Sequence, residues 1–160
     1  MLLIAKNLKF AKYFTSLFKQ KKIIKYYLAL CEGNPKNNIS QINLKIKNKK
    51  LKVENTSTSY KLLNKKNGVS QILYKPETGK THQLRIVSKN LGCPIIGDKK
   101  YNNYPKFKNE KLMLHAYSLK FVIENKIYEY LADIPDHFLT FTKSNQFIIN
   151  KSYNKYLDTF

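Results

Sequence analysis

Asn67-Gly68 constrains this chain more than any other dipeptide in it. It separates Ser59–Asn64 from Val69–Lys75, two runs rich in strand-forming residues. A two-residue hairpin turn needs positive φ at both positions, which Asn and Gly adopt with least strain, so the pair predicts an antiparallel hairpin. Upstream, Gln41, Asn43, Lys45 and Lys47 alternate with Ile42, Leu44 and Ile46, the pattern of a half-buried strand. Ile23–Cys31 is β-rich and aromatic and ends before Gly33 and Pro35. Leu2–Lys6 reads as a further short strand. Leu112–Ile123 and Lys126–Ala132 read as two strands around Glu124-Asn125.

Helical spacing is confined to shorter pieces. Asn7 can cap a helix over 8–20 with Leu8, Ala11, Phe14, Leu17 and Phe18 on one face. Pro76-Glu77-Thr78-Gly79 breaks a strand, after which Thr81 can cap a helix over His82–Leu91, stopped by Gly92 and Pro94. Pro135–Phe141 forms a last short helix. The expected class is α+β: a mixed, largely antiparallel β-sheet with two or three helices. No repeat and no flexible linker divides the 160 residues, so 1–142 reads as one domain and 143–160 as a tail whose role stays open.

Charge narrows the partner. Lys and Arg number 30 against 10 acids, a formal charge of +20. Such a surface attracts polyanions and loses the attraction in salt. The profile also fits an AT-rich coding sequence, so a solvated basic surface with biased codons is the bland alternative to a nucleic-acid partner. Apolar runs such as Met1–Ala5 and Tyr26–Cys31 are too short to span a bilayer, which predicts no membrane partner. Lys6 interrupts the first run before it reaches signal-peptide length. Cys31 and Cys93 are expected to be reduced, which fits a cytoplasmic protein.

Several motifs fail. Gly79-Lys80-Thr81 resembles the end of a phosphate-binding loop, but the position that must be Gly is Tyr74. His82, His115 and His137 lie far apart and make no metal spacing with the two cysteines, so no metal site is expected. His82 reads as a hydrogen-bonding residue at a helix start, and His115 as a satisfied core histidine. Arg85 is the exception among the basic residues. It is the only Arg, and it lies between Leu84 and Ile86 rather than in a charge run. Where every other cation is Lys, the planar fork of Arg points to a specific carboxylate or phosphate partner.

Arg85 lies in Thr78-Gly79-Lys80-Thr81-His82-Gln83-Leu84-Arg85, followed by Pro94-Ile95-Ile96-Gly97-Asp98-Lys99-Lys100-Tyr101. These stretches resemble two segments of the RluA-type pseudouridine synthase family, Thr-Gly-Arg-Thr-His-Gln-Ile-Arg and Pro-Ile-x-Gly-Asp-x-x-Tyr. Leu112-Met113-Leu114-His115-Ala116 is similar to the family's Leu-His-Ala strand, Lys25-Tyr26-Tyr27-Leu28-Ala29-Leu30 to its Lys-x-Tyr-x-Ala-Leu strand, and Leu2–Asn7 to the segment after its catalytic loop. Five segments in family order cover about residues 2–135. Lys80 departs from the family's Arg but keeps the charge.

The resemblance implies isomerisation of uridine in RNA, with large-subunit rRNA as substrate and without metal or cofactor. The base must leave its stack to be reached, which calls for a pocket and a basic rim. Tyr27 matches the active-site Tyr that packs against the flipped base and is a candidate to assist proton transfer; without the resemblance it reads as a core aromatic. Arg85 matches the Arg that pairs with the catalytic carboxylate. Lys80, Thr81, His82 and Gln83 are the expected substrate-binding residues. The family's catalytic Asp lies in a His-Arg-Leu-Asp-x-x-Thr-Ser-Gly loop immediately before the segment matched by Leu2–Asn7, and no acid of this sequence occupies that place. Asp98 matches a turn Asp expected to be structural. The chain therefore reads as the C-terminal portion of such an enzyme, inactive alone, completed by an upstream fragment or a longer native chain. It is also expected to expose sheet edge or core surface near Leu2–Lys6. A non-catalytic basic RNA-binding module on the same fold is the alternative.

Overall fold

A computed structural model describes residues 1, 3–47 and 50–149. The elements run α1 (Leu8–Lys19), β1 (Ile24–Glu32), β2 (Ile39–Lys47), β3 (Val53–Lys66), β4 (Val69–Pro76), α2 (Gln83–Asn90), β5 (Leu114–Ile123), β6 (Lys126–Leu131) and α3 (Asp136–Ser144). The six strands make one antiparallel sheet in the order β2-β3-β4-β1-β5-β6. The expected α+β class holds, with three helices.

Asn67 and Gly68 turn β3 into β4 with φ of 51° and 75°, closing the ladder at Lys66↔Val69. Central strands β1 and β4 are covered on both faces, which is why Leu28 to Cys31 form a continuous buried run rather than an alternating one. Tyr27 and Tyr60 are both register partners of Tyr74, so the three share a face. On that face the Tyr74 hydroxyl meets the Ser88 hydroxyl of α2 at 2.8 Å. The opposite face carries Leu28 and its partner His115, whose ring stands 6.2 Å from that of Phe138 in α3.

Three local expectations change. Residues 3–6 form no strand, and Leu2 lies outside the described residues. The strands nearest Leu3, β1 and β5, are each paired on both sides, so the run finds no open edge there. Leu3 packs instead on a satellite cluster of Leu17, Ile23 and Phe121. Thr81 is exposed and does not cap α2; His82 takes the N-cap position at φ 56° with no side-chain cap bond. The approach to the helix is pinned from inside the turn by Gln83, so an external cap is superseded. β3 also begins at Val53, because Glu54-Asn55-Thr56 pairs with β2 despite its polar character.

Of the expected tail, residues 150–160 lie outside the described residues. The part that is described docks on the core. Phe147 and Ile149 are buried, Asn64 Nδ2 donates to the Ile148 carbonyl at 2.7 Å, and Lys66 Nζ donates to that of Gln146 at 3.0 Å. Among the described residues no helix is long and apolar enough to cross a membrane.

Candidate functional site

A cavity of about 320 Å³ opens between β1, the β4–α2 connection and the start of α2. β1 contributes Lys25 and Tyr27, the connection Thr78, Gly79 and Lys80, and α2 His82, Gln83 and Arg85. Leu112 and Leu114 close one side. Of the six residues singled out from the sequence, five line this one cavity; Thr81 faces solvent and does not.

Tyr27 forms a wall. Beside it the β1–β5 register shifts from Tyr26↔Ser118 to Tyr27↔Ala116, a bulge whose extra residue, Tyr117, lies on β5. The Tyr27 ring is half-buried, and its hydroxyl makes no hydrogen bond among the described residues. Burial pushes its phenol pKa upward, so the ring meets the cavity neutral.

Gln83 holds the connection rather than offering itself to a ligand. Its Oε1 accepts from the Thr78 hydroxyl at 2.8 Å and from Lys80 N–H at 3.0 Å. Its Nε2 donates to the Ser57 carbonyl at 3.1 Å and the Thr58 hydroxyl at 2.9 Å. A side-chain amide has two donor hydrogens and two lone pairs, so these four bonds saturate it. Thr78 also accepts from Ser57 N–H, so the loop that carries Lys80 is stitched to β3. Lys80 Nζ reaches Glu54 at 2.8 Å. His82 Nδ1 lies 3.1 Å from the Tyr101 hydroxyl, with the two rings edge to face.

Arg85 has the specific partner its uniqueness suggested, and it is Asp98. Nε donates to Oδ2 at 2.8 Å and Nη2 to Oδ1 at 2.6 Å. The carboxylate side chain is wholly buried and also accepts from Lys100 and Tyr101 N–H, each at 2.9 Å. Burial alone would raise the Asp98 pKa; the Arg85 fork and the two backbone donors outweigh it and hold the carboxyl below its ordinary value. The guanidinium also lies 5.0 Å from the centre of the Tyr101 ring. Of its five N–H groups, those on Nη1 make no bond among the described residues, so one edge of Arg85 stays open. Asp98 as a functional partner escaped the sequence reading, which saw only a turn residue. The available signal was the presence of a lone Arg and a Gly-Asp-x-x-Tyr segment in one short stretch.

Gly97 makes this corner possible. At φ 75°, a Cβ there would collide with the Lys111 carbonyl. His115 sits in β5 with Nε2 3.5 Å from the Ala132 carbonyl, and desolvation lowers its pKa, as suits a core histidine. Among the described residues no group of three His, Cys, Asp or Glu side chains could hold a metal ion.

A family described as RNA pseudouridylate synthase matches residues 1–90. Over 150 residues the chain is 35% identical to an uncharacterized RNA pseudouridine synthase of Zymomonas mobilis, covering 86% of this chain and 68% of that protein. It is 32% identical to ribosomal large subunit pseudouridine synthase D of Borreliella burgdorferi, covering 88% of this chain and 47% of the relative. Against ribosomal large subunit pseudouridine synthase C of Rickettsia prowazekii the figures are 38%, 72% and 43%. The chain thus spans less than half the length of the latter two. The solved structure of human RNA pseudouridylate synthase domain containing 4 superposes with a TM-score of 0.81 at 20% identity, covering 91% of this chain and 70% of that one; at that identity it shows the fold alone. Human RNA pseudouridylate synthase domain containing 1 gives a TM-score of 0.73 at 26% identity, covering 82% and 62%.

Proposed function

Because the chain belongs to the RNA pseudouridylate synthase family, we propose that its cavity receives a uridine turned out of an RNA strand, with large-subunit rRNA as the target. The observation that carries this reading is the convergence of Tyr27, Lys80, His82, Gln83 and Arg85 on one cavity of about 320 Å³. That volume suits a small ligand, since such pockets start near about 300 Å³. The Tyr27 ring offers a face on which a base can rest, and the +20 chain supplies the attraction for the RNA backbone. The names of the Borreliella and Rickettsia relatives support the choice of large-subunit rRNA.

Isomerisation breaks the bond from ribose to nitrogen, turns the base and rejoins it through carbon, and in this family a carboxylate drives it. Among the described residues no acid lines the cavity. Glu54 is paired with Lys80, and Asp98 lies against the far edge of Arg85. Asp98 holds the guanidinium while Nη1 remains available to orient a second carboxylate. Residues 1–160 then bind RNA but need that carboxylate from a longer chain or a partner fragment.

The test incubates purified residues 1–160 with a large-subunit rRNA transcript and measures both binding and pseudouridine content by mass spectrometry. Salt-sensitive binding without pseudouridine is expected, and Tyr27→Ala should weaken binding by about tenfold, the scale of one lost base stack. Absence of binding at low salt defeats the reading. Pseudouridine made by this chain alone would show that its own residues supply the chemistry.

A further inference from the structure

Three cations with fixed charge line the cavity, and two of them are neutralised. Lys80 is bound to Glu54 and Arg85 to Asp98. The third, Lys25, makes no ion pair among the described residues; its ammonium lies 5.8 Å from the centre of the Phe18 ring. Lys25 is half-buried, and desolvation lowers its pKa although the charge of Glu77 acts the other way. A partly desolvated ammonium that makes no ion pair is one an anion from outside can engage.

The position of the ammonium says where that anion arrives. Lys25 and Tyr27 alternate along β1 onto one face, their Cα atoms about 6–7 Å apart, and both line the cavity, so a nucleotide whose base rests on Tyr27 has Lys25 as its neighbour on the strand. Nζ lies 3.7 Å from where a Cβ on Gly79 would stand, and Gly79 is exposed. A missing side chain therefore leaves the ammonium an opening to the cavity mouth. Lys25 and Tyr27 also line a neighbouring cavity of about 250 Å³ with Leu3 and Phe18, so the pair stands between two recesses on one face.

We propose that Lys25 holds a phosphodiester oxygen of the same nucleotide whose base rests on Tyr27. This rests on the cavity being the uridine site and adds the group that grips the backbone there. Lys80 and Arg85 each already carry a carboxylate, whereas Lys25 makes no ion pair among the described residues.

The test measures binding of a labelled oligouridylate to the full chain over a series of salt concentrations. Lys25→Met should lower the slope of log affinity against log salt by about 0.7, the share of one phosphate contact on a single strand. Lys25→Arg should restore it, and Lys108→Met, on an exposed loop, should weaken binding less than Lys25→Met. A second measurement uses the unaltered protein: bound oligouridylate should protect Lys25 from reductive methylation, read by mass spectrometry, more than it protects Lys108. If the chain binds but Lys25→Met keeps the slope, or Lys25 is not protected, the proposal is overturned while the uridine-site reading stands. An unchanged slope is also the outcome expected if a protein carboxylate fills this place. If the unaltered chain does not bind, the uridine-site reading falls and this proposal with it.

Discussion

Two helices flank Tyr27 and Lys25 on one face of the sheet, and they are held there by different forces. The α2 side is tied by directed polar bonds. Gln83 makes four, Arg85 and Asp98 share two, and Ser88 closes on Tyr74. The α1 side has one capping bond, from Phe10 N–H to Asn7 Oδ1, and one buried side chain, Leu17. It is otherwise attached by the small apolar cluster around Phe121 and the Lys25 ammonium near the Phe18 ring, while Leu8, Phe10, Tyr13 and Phe18 stay exposed. Directed bonds hold the angles of a site wall. A small greasy contact holds a helix in place but lets it open more readily.

The strongest way to break the contrast is Gly97→Ala. Positive φ and the close Lys111 carbonyl both oppose a side chain, so a loss of about 3 kcal/mol or more is expected in thermal or urea unfolding. A loss below about 1 kcal/mol would mean that the corner tolerates what the geometry forbids.

Asp98→Ala should come next, at about 3 kcal/mol, because it leaves a mostly buried guanidinium without its partner. The pH dependence sharpens it. A carboxyl whose folded pKa is lowered stabilises fully above its unfolded value of about 3.9, and the contribution fades as pH falls through the folded value. The native chain should therefore lose stability below about pH 4 more steeply than Asp98→Asn. Parallel curves would show that the pair contributes nothing net.

Leu17→Ala should cost about 2 kcal/mol and act locally. Hydrogen exchange should rise across α1 while α2 amides stay protected. Equal loss of protection in both helices would erase the distinction between the two walls.

The legible parts of the fold are those set by neighbours in sequence. Asn67-Gly68 turned as expected, Asn7 capped α1, and the alternation at Gln41–Lys47 became β2. The errors arose where distant partners decide. Leu3 and its neighbours looked like a strand, yet the strands beside them had no free side. Glu54-Asn55-Thr56 lay outside the run read as Ser59–Asn64, yet it pairs with β2. Thr81 had the chemistry of a cap, but Gln83, reaching back to β3, already held the turn.

The sequence by itself determined the class of fold, the hairpins, the family and most of the residues that meet at the cavity. Only the tertiary structure decided what those residues do to one another: that Asp98 is the carboxylate on Arg85, that Gln83 is saturated, and that Lys25 makes no ion pair among the described residues. Local propensity and spacing act within a few residues, whereas charge pairing and hydrogen-bond saturation depend on which side chains folding brings together from afar. A lone lysine and a neutralised one are indistinguishable in a string of residues, because the difference between them is a carboxylate elsewhere in the chain.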